Sequence, residues 1–412
     1  MKDTTAAAGA ALSDRIRAQT RHLGFDLVGI TDVRPSEHAG FYRAWLAAGR
    51  HGEMSYLARP DAVERRLRPD TGFAGVRSAI VVGLDYYTAD DDEADAARGI
   101  IARYARGRDY HKVIKRKLLH LLRWLEDEVG HRLPLARAYV DTGPVLEREL
   151  ARRAGLGWFG RNTMLLNPKR GSFFFLATLL TELELEPDAP FEADHCGTCS
   201  ACVSACPTGA LLGRDANGAP VIDATRCISY LTIEQRGPIP RELRPLIGNR
   251  IFGCDICQEV CPFTGKFSAP SSEPSFAARG PAEPPVGVEK LGSDGWHPGT
   301  ASPSLIDLMS MDEAAWEAFS RGSALRRAGR SGFRRNVAVA LGNWGSSEAV
   351  PVLVRALLDA EPLVRGHAAW ALGEIASPQS LPDLEASLAA EREPFVLEEV
   401  EGALDRLRSK VE

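Results

Sequence analysis

The stretch Cys196–Gly209, CGTCSACVSACPTG, packs four cysteines into eleven residues and closes on Cys-Pro. Its spacing is C-x2-C-x2-C-x3-C-P. A second run, Cys254, Cys257 and Cys261, reads C-x2-C-x3-C-P, and Cys227 lies between the two. All eight cysteines of the 412-residue chain fall between Cys196 and Cys261. A [4Fe–4S] cluster takes four thiolates, and in the bacterial two-cluster pattern the last cysteine of a run serves the other cluster. Cys196, Cys199, Cys202 and Cys261 are therefore assigned to one cluster. Cys206, Cys254 and Cys257 go to a second, and Cys227, the cysteine that remains, completes it. Zinc also uses C-x2-C pairs, but it does not account for a four-cysteine run ending in Cys-Pro. Disulfides conflict with the compartment the rest of the chain implies.

That compartment is the cytoplasm. The N-terminal MKDTTAAAGAALSDRIRAQT has neither an apolar signal core nor a twin arginine. No run approaches the ~18 apolar residues of a membrane span. Composition is ordinary for a globular protein, 44% hydrophobic and 25% charged. The net charge of -5 gives no global basic field, so a nucleic acid would have to be met by a local patch.

The chain reads as an α+β multidomain protein. Residues 1–188 alternate helical and strand patterns and form an α/β domain. ALSDRIRAQTRHLGF and DYHKVIKRKLLHLLRWLEDEVG carry helical spacing, and DLVGITDV, SAIVVGLDYY, LARAYVDTG and GSFFFLATLLTELELE read as strands. Pro144 is expected to open a helix, PVLERELARRAGLG, as a first-turn proline. Residues 189–267 hold the clusters as a ferredoxin-like domain. Residues 268–310, rich in Pro, Gly and Ser, read as a linker or surface wrap. In residues 311–412 a repeat appears: NVAVALGNWG (336–345), GHAAWALGEI (366–375) and EVEGALDRL (399–407), with Ala-Leu pairs about 31 residues apart. Two helices per unit at that period predict short HEAT-type repeats.

A cluster pair is a one-electron relay, and a bare ferredoxin needs no 188-residue domain before it. No G-x-G-x-x-G opens a helix after a strand, so a nicotinamide fingerprint is absent. Another redox cofactor in the first domain is the economical reading.

Further motifs run the length of the chain: HGEMSYLAR (51–59), RYARGRDYHK (103–112), VDTGPVLERELARRAGLGWFGRNT (140–163), RCISYLTIE (226–234) and LRPLIGNRIFGCDICQEVCP (243–262). Together with both cysteine runs and the repeat tail, the chain resembles the epoxyqueuosine reductases, cobalamin-dependent iron–sulfur enzymes of tRNA queuosine synthesis. The resemblance implies a reductive-dehalogenase-like cobalamin domain and a two-[4Fe–4S] domain. The implied reaction takes the cyclopentane epoxide of epoxyqueuosine to the alkene with two electrons and two protons, fed by an external electron donor. It implies Asp141 as the proton donor, with a pKa raised by burial against the corrin; the plainer role for Asp141 is capping the helix expected near Pro144. It implies cobalamin contacts at Arg59, Asp141, Leu165, Ser229 and Tyr230, although a surface arginine and core leucine and tyrosine are the plain alternatives. Tyr104 and His111 are candidates to meet the substrate base. No D-x-H-x-x-G motif is present, which implies base-off cobalamin.

The implied substrate is the anticodon stem-loop of a tRNA, read through unstacked loop bases. Between 318 and 347 lie Arg321, Arg326, Arg327, Arg330, Arg334 and Arg335 with no Asp or Glu, a one-signed stretch expected to contact phosphate. Lys112, Lys115, Arg116 and Lys117 form a second basic stretch. A monomer is expected. The rival readings are a corrinoid dehalogenase acting on a small molecule and a non-catalytic iron–sulfur carrier that docks partners through its repeats.

Overall fold

The apolar run FFFLATLL becomes the strand Phe174–Thr181, the spine of a four-stranded sheet ordered Leu27–Asp32, Ser78–Asp85, Phe174–Thr181, Arg137–Tyr139. Every neighbouring pair is antiparallel, in register Leu27↔Gly83, Asp85↔Phe174 and Arg137↔Leu180. Ser78–Asp85 is buried along its whole length, which explains its unbroken apolar sequence. Helix Tyr110–Val129 covers the sheet with Tyr110, Ile114, Leu118, Leu121 and Leu125, the helical spacing read from sequence. Asp109 caps its start by accepting from His111 N, and Gly130 ends it in the left-handed conformation.

The structure, a computed structural model, describes residues 2–89, 95–278 and 302–411. Two compact units form, neither of them continuous in sequence. The first comprises Met1–Ala89, Asp109–Ala224 and Ile256–Phe276; the second comprises Asp90–Arg108, Thr225–Asp255 and Ala277–Glu412. The consecutive segments read from composition are thus interleaved. Cys196, Cys199, Cys202, Cys206, Cys257 and Cys261 belong to the first unit, and Cys227 and Cys254 to the second. Of the expected wrap at 268–310, residues 279–301 lie outside the described residues. Its beginning, to Phe276, is part of the first unit: Ser271 bonds Asp85 O (2.6 Å) and Tyr87 O (2.9 Å), and Phe276 is buried against Phe175.

In the second unit the repeat becomes alternating helices. Gly329–Trp344, Pro362–Ile375 and Pro394–Val411 carry the Ala-Leu pairs, and Val350–Ala356 and Leu381–Ala390 lie between them. The glycine after each of the first two pairs sets the stacking distance. A Cβ on Gly342 would lie 2.9 Å from Ala371 Cα, and one on Gly373 would lie 2.8 Å from Ala403 Cα. Each repeat thus seats the alanine of the next on bare backbone.

The same helices anchor the segment after Cys227. Arg335, fully buried, donates to the carbonyls of Leu231 (2.6 Å), Gln235 (2.9 Å) and Gly237 (2.8 Å). Asn336 bridges Thr232 O and Ile251 O. Gly342→Ala should therefore cost about 1–3 kcal/mol through overpacking. Urea unfolding will show a lower midpoint; an unchanged midpoint would mean the helices can part without penalty.

Candidate functional site

Asp141 follows the short edge strand Arg137–Tyr139 and has φ +58, the left-handed region that a short polar side chain tolerates. The turn is tight: a Cβ on Gly143 would lie 2.4 Å from the Tyr139 ring. The helix expected from Pro144 starts only at Glu147 and runs to Arg153. Its N-cap is Leu146, with no side-chain cap bond, so Asp141 is not a capping residue. The relation is reversed, since both carboxylate oxygens of Glu147 accept from Asp141 N at 3.1 Å. The turn consumes the residues that the sequence pattern assigns to the helix.

Asp141 meets the start of helix Tyr110–Val129. Tyr110 Oη donates to Asp141 Oδ2 at 3.1 Å. His111 Nε2 lies 3.6 Å from the same oxygen, and His111 Nδ1 sits 2.7 Å from Asp109 Oδ1. The imidazole stacks on Tyr110 (4.0 Å between centroids), and Tyr110 stacks on Phe175 (4.1 Å, 4° between planes). Burial pulls His111 down, but hydrogen bonds and charge from Asp109 and Asp141 outweigh it and carry its pKa to about 9. Burial, then the charge of Asp141, pushes Glu147 up to about 8.

The expectation that burial keeps Asp141 protonated is corrected here. Burial does work to raise it, but the His111 hydrogen bond and positive charge, with the Tyr110 hydroxyl, hold the carboxyl below its usual range. At neutral pH the protons of this cluster reside on His111 and Glu147. Asp141 is also 65% open to solvent, which weakens burial further and leaves the carboxylate reachable by a substrate. Asp109, Tyr110 and Glu147 join this cluster only through the fold. The adjacent polar side chains of Asp-Tyr-His at a helix start were the available signal.

The cluster thiols are equally local. Cys196, Cys199, Cys202 and Cys261 line one cavity with Arg161, Leu166 and Phe263. Cys202 rides on helix Ala201–Ala205, and Cys261 is the N-cap of helix Pro262–Phe267, so the proline of Cys-Pro opens a helix directly after a ligand. Burial, then the neighbouring Cys196 and Cys261, raises the Cys202 thiol pKa, a crowding of thiols that a cationic core relieves. None of the eight cysteines, all among the described residues, is in a disulfide. Among the described residues no three His, Cys, Asp or Glu side chains close on a single ion. The four thiols spread around a cavity instead, as a multi-iron core requires, and the residues fit that group. Cys206, Cys227, Cys254 and Cys257 are divided between the two units.

Other expected contacts fare unevenly. Arg59 is exposed, with Asp61 at 3.4 Å. Leu165 packs in the core, 3% exposed among Val145, Leu150 and Phe174. Ser229 is half-buried and Tyr230 buried on helix Ile228–Ile233; Tyr104 too belongs to the second unit.

The arginine stretch is not one phosphate face. Arg335 is consumed by backbone carbonyls, and Arg334 is held by Asp359 at 2.6 Å. Arg327 forks onto Glu234 (2.8 and 2.9 Å), Arg326 pairs with Glu317 (2.6 Å), and Arg321 lies 3.9 Å from Glu317. Arg330 is half-buried. Glu317, immediately before the stretch, and Glu234 and Asp359 from other elements supply the acidic partners that residues 318–347 lack. Among the described residues no helix is long and apolar enough to cross a membrane.

The 4Fe-4S double cluster binding domain family matches residues 195–264, and HEAT repeats match 321–405. Fold and site thus define an iron–sulfur oxidoreductase with a helical-repeat tail. The family described as epoxyqueuosine reductase QueG, DUF1730, matches residues 66–142. An epoxyqueuosine reductase of Pseudomonas aeruginosa is 42% identical over 372 residues, covering 88% of this chain and 94% of that one. That of Escherichia coli is 39% identical over 368 residues, covering 88% and 89%. A crystal structure of epoxyqueuosine reductase with a tRNA-Tyr epoxyqueuosine-modified stem loop superposes with TM-score 0.84 at 29% identity, over 97% of this chain and 99% of that one. The enzyme from Bacillus subtilis, with its catalytic aspartate loop swung out of the active site, superposes with TM-score 0.79 at 28% identity, over 96% and 99%. The chain belongs to the epoxyqueuosine reductase family.

The pH dependence of the site follows from His111. Its folded pKa lies above the ordinary histidine value of 6.5, so its pairing contributes fully below pH 6.5 and is lost as pH rises through about 9. Thermal unfolding of wild type against His111→Gln should show a constant gap below pH 6.5 that narrows toward pH 9. A gap independent of pH would mean that His111 carries no charge here.

Proposed function

We propose that this chain reduces the epoxide of epoxyqueuosine to the alkene of queuosine in the anticodon loop of a cytoplasmic tRNA. The reaction consumes two electrons and two protons and releases the oxygen as water. The observation that carries this reading is the Asp141 turn: a solvent-open carboxylate with Tyr110 and His111 on one oxygen, in a chain of this family.

Two [4Fe–4S] clusters, when bound, would supply the electrons singly from an external donor. Cys196, Cys199, Cys202 and Cys261 would hold one; Cys206, Cys227, Cys254 and Cys257 would hold the other, an assignment supported by the cysteine spacing and by a double-cluster family match that spans all eight. Cobalamin, bound base-off, would supply a soft, strongly reducing metal centre. Arg59, exposed in the first unit, suits the polar rim of such a macrocycle. Within the protein, Asp141 Oδ2, ionised at rest, takes a proton from the imidazolium of His111 and passes it to the leaving oxygen. Tyr110 orients the carboxylate, and Glu147 fixes the strained turn through Asp141 N. The monomer remains the expected state.

Anaerobically purified protein, reconstituted with iron, sulfide and cobalamin, should convert epoxyqueuosine tRNA with a chemical reductant. Absence of conversion with both cofactors bound would overturn the reading. Asp141→Asn should retain iron and cobalamin and lose roughly 10²- to 10⁴-fold in turnover, as expected for a lost proton donor; full activity would remove Asp141 from the reaction.

With the arginine stretch largely paired, the phosphate-binding role passes to helix Tyr110–Val129, where Lys112, Lys115 and Arg116 are exposed. Replacing Lys115 and Arg116 by Gln should weaken stem-loop binding and flatten its salt dependence by about 0.7–0.9 log units for each phosphate no longer neutralised. An unchanged slope would exclude that face.

A further inference from the structure

Trp158 has its indole nitrogen against a cluster thiol. Nε1 donates to Cys196 Sγ at 3.4 Å, and the ring is 3% exposed. Three rings hold it in place: Phe191 stacked at 5.7 Å, His195 edge-on at 4.9 Å and Phe263 edge-on at 5.0 Å. Its strand, Trp158–Phe159, pairs with Leu165–Leu166. Gly157 permits that approach, since a Cβ there would lie 2.0 Å from Leu166 O. The ring therefore has little freedom to turn its nitrogen elsewhere. An indole N–H is a donor with no acceptor role, and when buried it seeks a partner. Packing alone would be met by phenylalanine; the choice of an indole aimed at sulfur is what packing leaves unexplained.

We propose that Trp158 tunes the cluster held by Cys196, Cys199, Cys202 and Cys261, its Nε1–H bonding the Cys196 sulfur and raising that cluster's reduction potential. This rests on the cluster assignment made above. Reduction adds one electron, and the added negative charge spreads onto the sulfurs. A fixed N–H donor stabilises that more negative state more than the oxidised one. Trp158 itself is neither oxidised nor reduced: the cluster takes one electron from the external donor and passes one on. The consequence is a cluster that fills at a milder donor potential than its bare thiolate set would allow.

The test is an EPR-monitored redox titration of the full-length, reconstituted protein and its Trp158→Phe variant. Iron and sulfide contents should be equal in the two. One cluster's midpoint should fall, so that at a fixed potential its reduced-to-oxidised ratio drops about tenfold, equivalent to ~59 mV for one electron. The other cluster should not move. In deuterated buffer, the exchangeable deuteron coupled to the shifted cluster should vanish in the variant. Phe191→Leu loosens the same ring while keeping its donor, and should leave both midpoints in place. An unmoved midpoint in Trp158→Phe, an equal fall in Phe191→Leu, or loss of iron from Trp158→Phe would each overturn the proposal. Absence of a four-iron signal from the unmodified protein that Cys199→Ser abolishes would instead overturn the cluster assignment itself, before any midpoint is compared.

Discussion

The antiparallel pairing of Ser78–Asp85 with Phe174–Thr181 is the constraint from which the candidate active site descends. Both strands are buried almost throughout, so a slip of one residue would turn an apolar face to solvent. With the register fixed, Phe175 stands opposite Leu84 and offers its ring to Tyr110. That stacking sets the first turn of helix Tyr110–Val129, and with it His111. On the other edge the same strand pairs Thr178 with Tyr139, which delivers Asp141 two residues later. Two pieces of chain about thirty residues apart thus meet at one carboxylate because one strand organises both.

The four strands, the long helix and the repeat helices are legible because each buries a continuous apolar face, and burial writes its period into the sequence. The cysteine spacing is legible for a different reason: ligands on short helices and turns tolerate few spacings. What escapes is set by tertiary contact. The Pro144 helix start fails because the turn at Asp141 is fixed by Glu147 and the Tyr139 ring, neither of which appears in a helical period. The one-signed arginine stretch misleads because Glu234 and Asp359 arrive from other elements. Burial alone predicts a neutral Asp141, whereas a histidine about thirty residues away in sequence decides its charge.

Charge in this site is distributed unlike that of a single buried acid. His111 between two carboxylates is a cation whose counter-ions are built in, and burial, with the charge of Asp141 beside it, keeps Glu147 protonated. The cluster therefore stores protons on groups adjacent to the one that is open to solvent.

Arg335 carries a consequence for how the chain tolerates shortening. The carbonyl it holds at Leu231 lies 104 residues earlier. The helix that follows Cys227 thus takes partners for its carbonyls from the repeat tail, so a truncation of that tail would reach back to the segment beside Cys227.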